Sequence, residues 1–156
     1  MITASIAGGS GYSGGELIRL LHFHPEVEIA QVTSERLAGR SVHNAHPNLR
    51  QVSRLTFCAL SELEPCDLLF LCLPHGEAMQ RIDTLRALAP RVIDLSGDFR
   101  LSDAAAYAKW YGQEHTRPEL LDDCVYGIPE LHRTALSTAT FAAGAGCNAT
   151  VTILAL

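Results

Sequence analysis

The chain of 156 residues begins with the stretch that decides its fold, ITASIAGGSGYSGG at residues 2–15. Residues 2–7 are mostly apolar and predict a buried β-strand. Leucines then recur at helical spacing over residues 17–21, and Pro25 ends the predicted helix. Between strand and helix lie three regularly spaced glycines, Gly8, Gly11 and Gly14. A glycine turn in this position allows a pyrophosphate to approach the backbone N–H groups at a helix start.

The rest of the chain continues the alternation of strands and helices. Strands are predicted at residues 27–32, 54–58, 68–73, 91–95 and 140–143, and helices at 77–88, 130–136 and in the tail after Cys147. Residues 34–54 form a polar connection long enough to suggest a function. A region with four aromatic residues, which runs to Pro129, is predicted to be less regular: Tyr107, Trp110, Tyr111 and Tyr126. This order predicts an α/β protein with a doubly wound, mostly parallel sheet, the Rossmann arrangement.

Composition excludes several classes of partner. The formal net charge of −5 argues against nucleic acid or an anionic membrane as the main partner. The N-terminus does not resemble a signal peptide, and no apolar run approaches the length of a membrane span. Five cysteines without a Cys-x-x-Cys pair indicate reduced thiols and a cytoplasmic protein. The histidine pairs lack a third ligand, so we expect no metal site.

The glycine turn predicts a dinucleotide site. We expect its residues to hold the pyrophosphate of the cofactor: Gly8, Ser10, Gly11, Tyr12, Ser13 and Gly14. The spacing Gly-x-x-Gly-x-x-Gly departs from the Gly-x-Gly-x-x-Gly fingerprint, so a purely structural turn remains an alternative.

Two further segments complete the predicted cofactor site. The second strand ends near the adenosine ribose, where Ser34 and Arg36 suit a 2′-phosphate and hence NADP. Glu35 could instead hold a ribose hydroxyl, and Arg36 could be an ordinary surface charge. Pro74 and His75 follow the most apolar strand at its carboxyl end and are expected to line the pocket, although His75 could equally be a loop histidine bound to backbone.

The sequence DLSGDFR at residues 94–100 also follows a strand. Arg100 offers a fork of donors for a phosphate or carboxylate, which suggests a role in substrate binding. The alternative is that Arg100 simply pairs with Asp98.

Cys147 lies in the sequence FAAGAGCNAT at residues 141–150. Small residues precede it and a helix-forming tail follows, so the thiol is predicted at a helix N-terminus, where backbone N–H groups favour the thiolate. These N–H groups could also stabilise an oxyanion, and the neighbouring amide of Asn148 is expected to contact the substrate. A thiolate beside a hydride donor fits attack on an activated acyl group, formation of a thioester and its reduction to an aldehyde. A buried, inert cysteine is the alternative.

Five motifs, in order along the chain, resemble the N-acetyl-γ-glutamyl-phosphate reductase family, which is related to the aspartate-semialdehyde dehydrogenases: GGSGYSGGEL, LPHG, DLSGDFRL, YGIPE and GC, beginning at residues 8, 73, 94, 126 and 146. The resemblance implies an NADP-binding Rossmann domain over residues 1–146. It also implies that a catalytic and dimerisation domain begins at the nucleophile, with residues 147–156 as its start. It further implies a homo-oligomer, either a dimer or a tetramer, in amino-acid biosynthesis.

The sequence departs from the arginine-pathway pattern around the nucleophile, where GAGCNAT replaces NPGCYPT. This departure resembles the branch that reduces an aminoadipyl or glutamyl phosphate carried by a small acidic amino-group carrier protein. Arginines 36, 40 and 50 could contact such a carrier. Family members are about twice as long as this chain, and their acid/base histidine lies in the half not present here. The alternatives are an aspartate-semialdehyde dehydrogenase-like enzyme and a dinucleotide-binding module without chemistry.

Overall fold

A computed structural model describes residues 1–156 of the chain. The strands are β1 (Ile2–Ala7), β2 (Val27–Thr33), β3 (Phe57–Cys58), β4 (Leu68–Leu71), β5 (Arg91–Asp94), β6 (Val125–Gly127) and β7 (Phe141–Gly144). The helices are α1 (Tyr12–Leu21), α2 (Glu77–Arg86), α3 (Ala104–Tyr111), α4 (Pro129–Thr138) and α5 (Cys147–Ala155). None of these helices is both long and apolar enough to cross a membrane.

The seven strands form one sheet in the order β3-β2-β1-β4-β5-β7-β6. Every neighbouring pair is parallel, which confirms the predicted doubly wound α/β fold. Because all strands run the same way, their carboxyl ends share one edge of the sheet. The glycine turn after β1, the Leu73–Gly76 segment after β4 and the Cys147 turn after β7 therefore lie along that edge, where ligands bind in open α/β sheets.

The core occupies both faces of the sheet. Along β4, Leu69 and Leu71 pack with α2 and α3, whereas Phe70 faces the cluster that contains Ile18 of α1. This alternation follows from the two-residue side-chain period of a strand. Burial on both faces explains why β4 reads as a continuous apolar run rather than an alternating one.

The polar connection between β2 and β3 is ordered by short 3₁₀ turns and two buried anchors. The turns cover Glu35–Leu37, Val42–Asn44 and Pro47–Leu49. Val42 is fully buried and Leu49 is 1% exposed, both within the cluster on the α1 face. The connection therefore packs down on the sheet beside α1.

The prediction of a less regular region up to Pro129 was wrong, since this region contains both α3 and β6. Asp103 starts α3, and its side chain accepts a hydrogen bond from the Ala105 N–H at 2.9 Å. An aspartate before three alanines is an N-cap signal that the sequence carried. Strand β6 has only three residues and pairs with β7 alone, so its periodicity is too short to read from sequence.

Candidate active site

The glycine turn between β1 and α1 is packed so closely that Gly8 and Gly14 cannot be replaced without movement, whereas a Cβ on Gly11 would meet only the Gly8 carbonyl oxygen at 3.8 Å. Gly8 has φ +86°, and a Cβ there would lie 2.5 Å from the carbonyl oxygen of Cys72. A Cβ on Gly14 would lie 2.6 Å from the Cα of Gly9. The close packing supports the structural interpretation of Gly8 and Gly14 and does not exclude a ligand at the turn.

The first turn of α1 is open to an anion. Gly11 is the N-cap, and no side chain caps the helix. Tyr12 is fully exposed, and Ser13 also lies at the surface. Uncapped N–H groups at a helix start form a natural anion site.

A cleft of about 780 Å³ opens beside this turn. It is lined by five of the predicted cofactor residues: Gly8, Ser10, Ser34, Arg36 and Pro74. Gly11, Tyr12, Ser13, Gly14 and His75 are not among its lining residues. The cleft also includes four polar residues that no motif marked, Ser61, Glu77, Arg81 and Thr84. They lie on the β3–β4 connection and on α2, where only the fold brings them to the cleft.

The end of β2 distinguishes between the two predicted roles for its charges. A carboxylate oxygen of Glu35 accepts a hydrogen bond from the Leu60 N–H at 2.8 Å, so Glu35 is engaged by the chain itself. Arg36 is exposed and forms no ion pair. The Ser34 hydroxyl donates to the Ser10 hydroxyl at 2.9 Å, which joins this segment to the glycine turn. The free cation at this position favours a phosphate over a ribose hydroxyl.

His75 faces a buried carboxylate instead of the cleft. Its Nδ1 lies 2.8 Å from Asp98 Oδ1, and its Nε2 lies 3.2 Å from the Tyr107 hydroxyl. Asp98 is fully buried and also accepts the N–H groups of Gly76 at 2.8 Å and Met79 at 3.0 Å. This carboxylate therefore fixes the start of α2 and the loop that carries Pro74.

The alternative in which Arg100 pairs with Asp98 is wrong, because Arg100 binds backbone carbonyls around the Cys147 turn. Its Nε donates to Gly144 at 2.9 Å and its Nη2 to Leu95 at 3.0 Å. A Cβ on Gly146 would lie 3.1 Å from Nη1. The guanidinium thus lies against Gly146, the residue that precedes Cys147.

Cys147 is the first residue of α5, with Gly146 as the N-cap. Its sulfur is exposed and lies 4.0 Å from Asn148 Oδ1. The Thr150 N–H and hydroxyl both bind the Gly146 carbonyl, at 2.8 and 3.1 Å, and close the first turn of the helix. The sequence therefore located the thiol correctly, and the alternative of a buried cysteine is wrong.

The other cysteines are less suited to act as nucleophiles. Burial raises the pKa of Cys72 to about 11 and that of Cys124 to about 12. Burial also raises the pKa of Cys58, and Cys66 is buried. Cys147 is the only exposed cysteine in the chain, and a nucleophilic thiolate needs access to its substrate.

Asp94 lies at the end of β5, between the cleft and the Cys147 turn. It is fully buried, and its two oxygens accept the N–H and hydroxyl of Ser96 at 3.0 and 2.8 Å. Burial raises its pKa to about 6, although the bonds from Ser96 act in the opposite direction. The two hydrogen bonds between Asp94 and Ser96 fix the loop that leads to Asp98 and Arg100.

Comparison with known proteins gives a consistent family. The family described as semialdehyde dehydrogenase, NAD-binding domain, matches residues 3–139. A protein of Deinococcus radiodurans named LysW-L-2-aminoadipate 6-phosphate reductase is 51% identical over 154 residues, 99% of this chain and 44% of that protein. A Thermomicrobium roseum protein, provisionally given the same name, is 56% identical over 156 residues, 100% of this chain and 44% of that protein. The chain thus spans less than half the length of these relatives.

Solved structures share the fold at low sequence identity. Aspartate semialdehyde dehydrogenase II from Vibrio cholerae has a TM-score of 0.70 at 16% identity, covering 100% of this chain and 41% of that chain. The Candida albicans aspartate semialdehyde dehydrogenase, solved with NADP, has a TM-score of 0.60 at 19% identity, covering 96% of this chain and 44% of that chain. At such identity the likeness concerns the fold alone.

Proposed function

Because the chain belongs to the semialdehyde dehydrogenase NAD-binding domain family, we propose that it is the cofactor-binding and nucleophile-bearing part of an NADPH-dependent acyl-phosphate reductase. The reaction converts an acyl phosphate to a semialdehyde and releases phosphate. We place the boundary between the cofactor domain, residues 1–146, and the start of the catalytic domain at Cys147.

The observation that carries the proposal is the placement of Cys147. The thiol is exposed at the first residue of a helix, at the same sheet edge as the glycine turn and its cleft. Strands β1 and β7 are separated by β4 and β5, so the two turns lie about 14 Å apart along the edge at ordinary strand spacing. A dinucleotide that crosses this edge brings its reactive end toward the thiol.

The residues of the cleft, together with the start of α1 beside it, fit NADP. The uncapped start of α1 and the packed glycines suit the pyrophosphate. Ser34 and Arg36 line the cleft and would hold the 2′-phosphate, while Pro74 forms the opposite wall. When bound, NADPH supplies the hydride for the reduction.

The protein's own groups then have distinct roles. The Cys147 sulfur forms a bond to the acyl carbon as the bond from that carbon to the phosphate oxygen breaks, which gives a thioester and free phosphate. After reduction of the acyl carbon, the thiolate leaves with its electron pair and the aldehyde is released. The N–H groups at the start of α5 stabilise negative charge on the acyl oxygen, assisted by Asn148. Arg100 holds the turn and places a positive charge beside the acyl phosphate.

The substrate we propose is an aminoadipyl or glutamyl phosphate attached to a small acidic carrier protein, in lysine or arginine biosynthesis. Support comes from the names of the relatives, which refer to LysW-linked substrates, and from the GAGCNAT sequence around the nucleophile. Arg40 and Arg50 are exposed, lie outside the cleft lining and form no ion pairs, which suits an acidic partner. A homo-oligomer and a cytoplasmic location remain predictions.

The test is a substrate panel with the full-length gene product, in which NADPH oxidation is followed by absorbance. The panel contains LysW-linked aminoadipyl phosphate, LysW-linked glutamyl phosphate, free N-acetylglutamyl phosphate and aspartyl phosphate. We expect turnover with a carrier-linked substrate and little with the free ones. Preference for aspartyl phosphate would favour an aspartate-semialdehyde dehydrogenase, and no oxidation with any of the four would favour a binding module without chemistry.

A further inference from the structure

The connection between β2 and β3 places one side chain, His46, directly on the glycine turn. Its Nε2 lies 2.7 Å from the carbonyl oxygen of Gly9. A carbonyl only accepts, so Nε2 carries the hydrogen and donates it. His46 is half-buried and is not one of the residues that line the cleft. It therefore contacts the turn from behind.

Gly15 provides the space for this ring. A Cβ on Gly15 would lie 2.5 Å from His46 Nδ1 and 2.9 Å from His46 Nε2. Gly15 is a residue of α1, where alanine would ordinarily be the better helix former. The glycine spacing of residues 8–14 does not explain why residue 15 is a glycine. The closeness of the His46 ring does explain it.

The connection is built to hold His46 at this position. Val42 and Leu49, which flank it, are buried in the cluster on the α1 face. The His46 N–H binds the Val42 carbonyl at 3.0 Å, and the His46 carbonyl accepts the Leu49 N–H at 2.9 Å. The histidine is thus fixed between two anchored residues.

The bond to Gly9 sets the direction of the next N–H group. The Gly9 carbonyl and the Ser10 N–H belong to one planar trans peptide and point in opposite directions. With the carbonyl held by His46, the Ser10 N–H points away from His46. This N–H has no acceptor within the chain, and Ser10 lines the cleft.

We propose that His46 is a positioning residue for the dinucleotide site: it holds the Gly9 carbonyl so that the Ser10 N–H is presented to the cofactor pyrophosphate. This inference rests on the proposed function, because it needs a pyrophosphate in the cleft. The connection between β2 and β3 would then raise the affinity for the cofactor through the glycine turn, without touching the cofactor itself.

The first experiment separates the hydrogen bond from the bulk of the ring. NADPH is titrated by fluorescence into the full-length gene product carrying His46→Leu, His46→Gln or the control His43→Leu, and the melting temperature of each variant is measured. His43 lies on the same connection but binds Ser41, at 2.7 Å. We expect H46L to raise the NADPH Kd about five- to tenfold, as for loss of a hydrogen bond that orders a site. H46Q, whose amide can donate, is expected to recover to within about twofold of the wild type, and H43L to bind as the wild type does.

The second experiment uses the contact between His46 and Gly15. Gly15→Ala is expected to weaken NADPH binding in the wild-type background, because the new methyl displaces the ring. In a His46→Ala background the three ring atoms nearest to the new methyl are removed, so G15A should then change the Kd less than about twofold, a non-additivity typical of residues in contact.

The outcomes distinguish the inference from the function on which it rests. If the wild type binds NADPH but H46L leaves the Kd unchanged, or if H46L and H46Q weaken binding equally, the positioning role is overturned and the proposed function stands. Equal effects of G15A in both backgrounds also overturn it. If the wild type does not bind NADPH, the proposed function and this inference fail together.

Discussion

Two regions at the carboxyl edge of the sheet are built in different ways. The dinucleotide region comprises residues 8–15 and the carboxyl ends of β2 and β4. Its backbone segments pack directly against each other, and its helix α1 buries Gly14, Gly15 and Ile18. The nucleophile region, residues 144–148 with the loop after β5, is held by the side chain of Arg100, and its helix α5 buries no residue. The proposed cofactor site therefore depends on the path of the backbone, whereas the proposed chemistry depends on a few exposed side chains.

The largest effect is expected in the nucleophile region. Cys147→Ser should lower turnover of the acyl phosphate by at least about a thousandfold, because a hydroxyl replaces the thiolate that attacks the acyl carbon. The NADPH Kd, measured by fluorescence, should stay within about twofold of the wild type if the two regions are separate. Cys58→Ser, at the partly buried end of β3, is the control and should keep most of the activity. Substantial turnover by C147S would remove Cys147 from the mechanism.

The next effect tests the dinucleotide region through its backbone. Gly8→Ala combines a positive φ with a Cβ that would lie 2.5 Å from the Cys72 carbonyl. We expect it to lower the free energy of unfolding by about 2–4 kcal/mol in chemical denaturation and to abolish NADPH binding. Gly39→Ala is matched in φ, at +78°, but its Cβ meets nothing within 4 Å, so it should cost only about 1–2 kcal/mol. Equal losses for both variants would show that close packing at Gly8 is unimportant.

A third prediction concerns Asp94, which lies between the two regions. Burial raises its pKa from 3.8 to about 6 in the folded protein. The folded state therefore holds a proton that the unfolded state releases between these pH values, so the stabilising contribution is complete below about pH 4 and is lost as the pH rises through 6. Asp94→Asn should remove this dependence and raise the free energy of unfolding at pH 7 by about 1–3 kcal/mol.

Denaturation curves at pH 4, 5, 6 and 7 measure this effect. Asp103→Asn is the matched control, because the exposed cap of α3 is satisfied equally well by asparagine. An identical pH dependence for D94N and the wild type would mean that the Asp94 carboxyl titrates normally in the folded protein.

A fourth prediction concerns the ribose end of the dinucleotide region. Arg36→Met should raise the NADPH Kd about 10- to 100-fold, the value of one charge-assisted hydrogen bond to a phosphate. The NADH Kd should change by less than about threefold, since NADH lacks that phosphate. Arg40→Met, an exposed arginine outside the cleft lining, serves as the control. An equal loss for both cofactors would place Arg36 elsewhere than at the 2′-phosphate.

The comparison also explains which features could be predicted from the sequence. Strands β1 and β4, the glycine turn and the exposed thiol at the start of α5 each follow from a local pattern: an apolar run, a glycine spacing or small residues before a helix former. Arg81 and the contact of His46 with Gly9 could not be predicted, because each depends on side chains from distant segments that only the folded sheet brings together. His75 shows the same limit: its position in the chain indicated a loop at the sheet edge, but the direction of its ring depends on Asp98, 23 residues later.

The sheet order has a consequence for how the two regions open. Three local β-α-β units are visible in it: β1-α1-β2, β4-α2-β5 and β6-α4-β7. The first carries the glycine turn and the third leads to Cys147, and they are joined only through the middle one. Cooperative opening often follows such supersecondary units. In hydrogen exchange, the amides of β6 and β7 should therefore lose protection together, while those of β1 and β2 stay protected. The segment that carries Cys147 would then open transiently while the dinucleotide site keeps its structure.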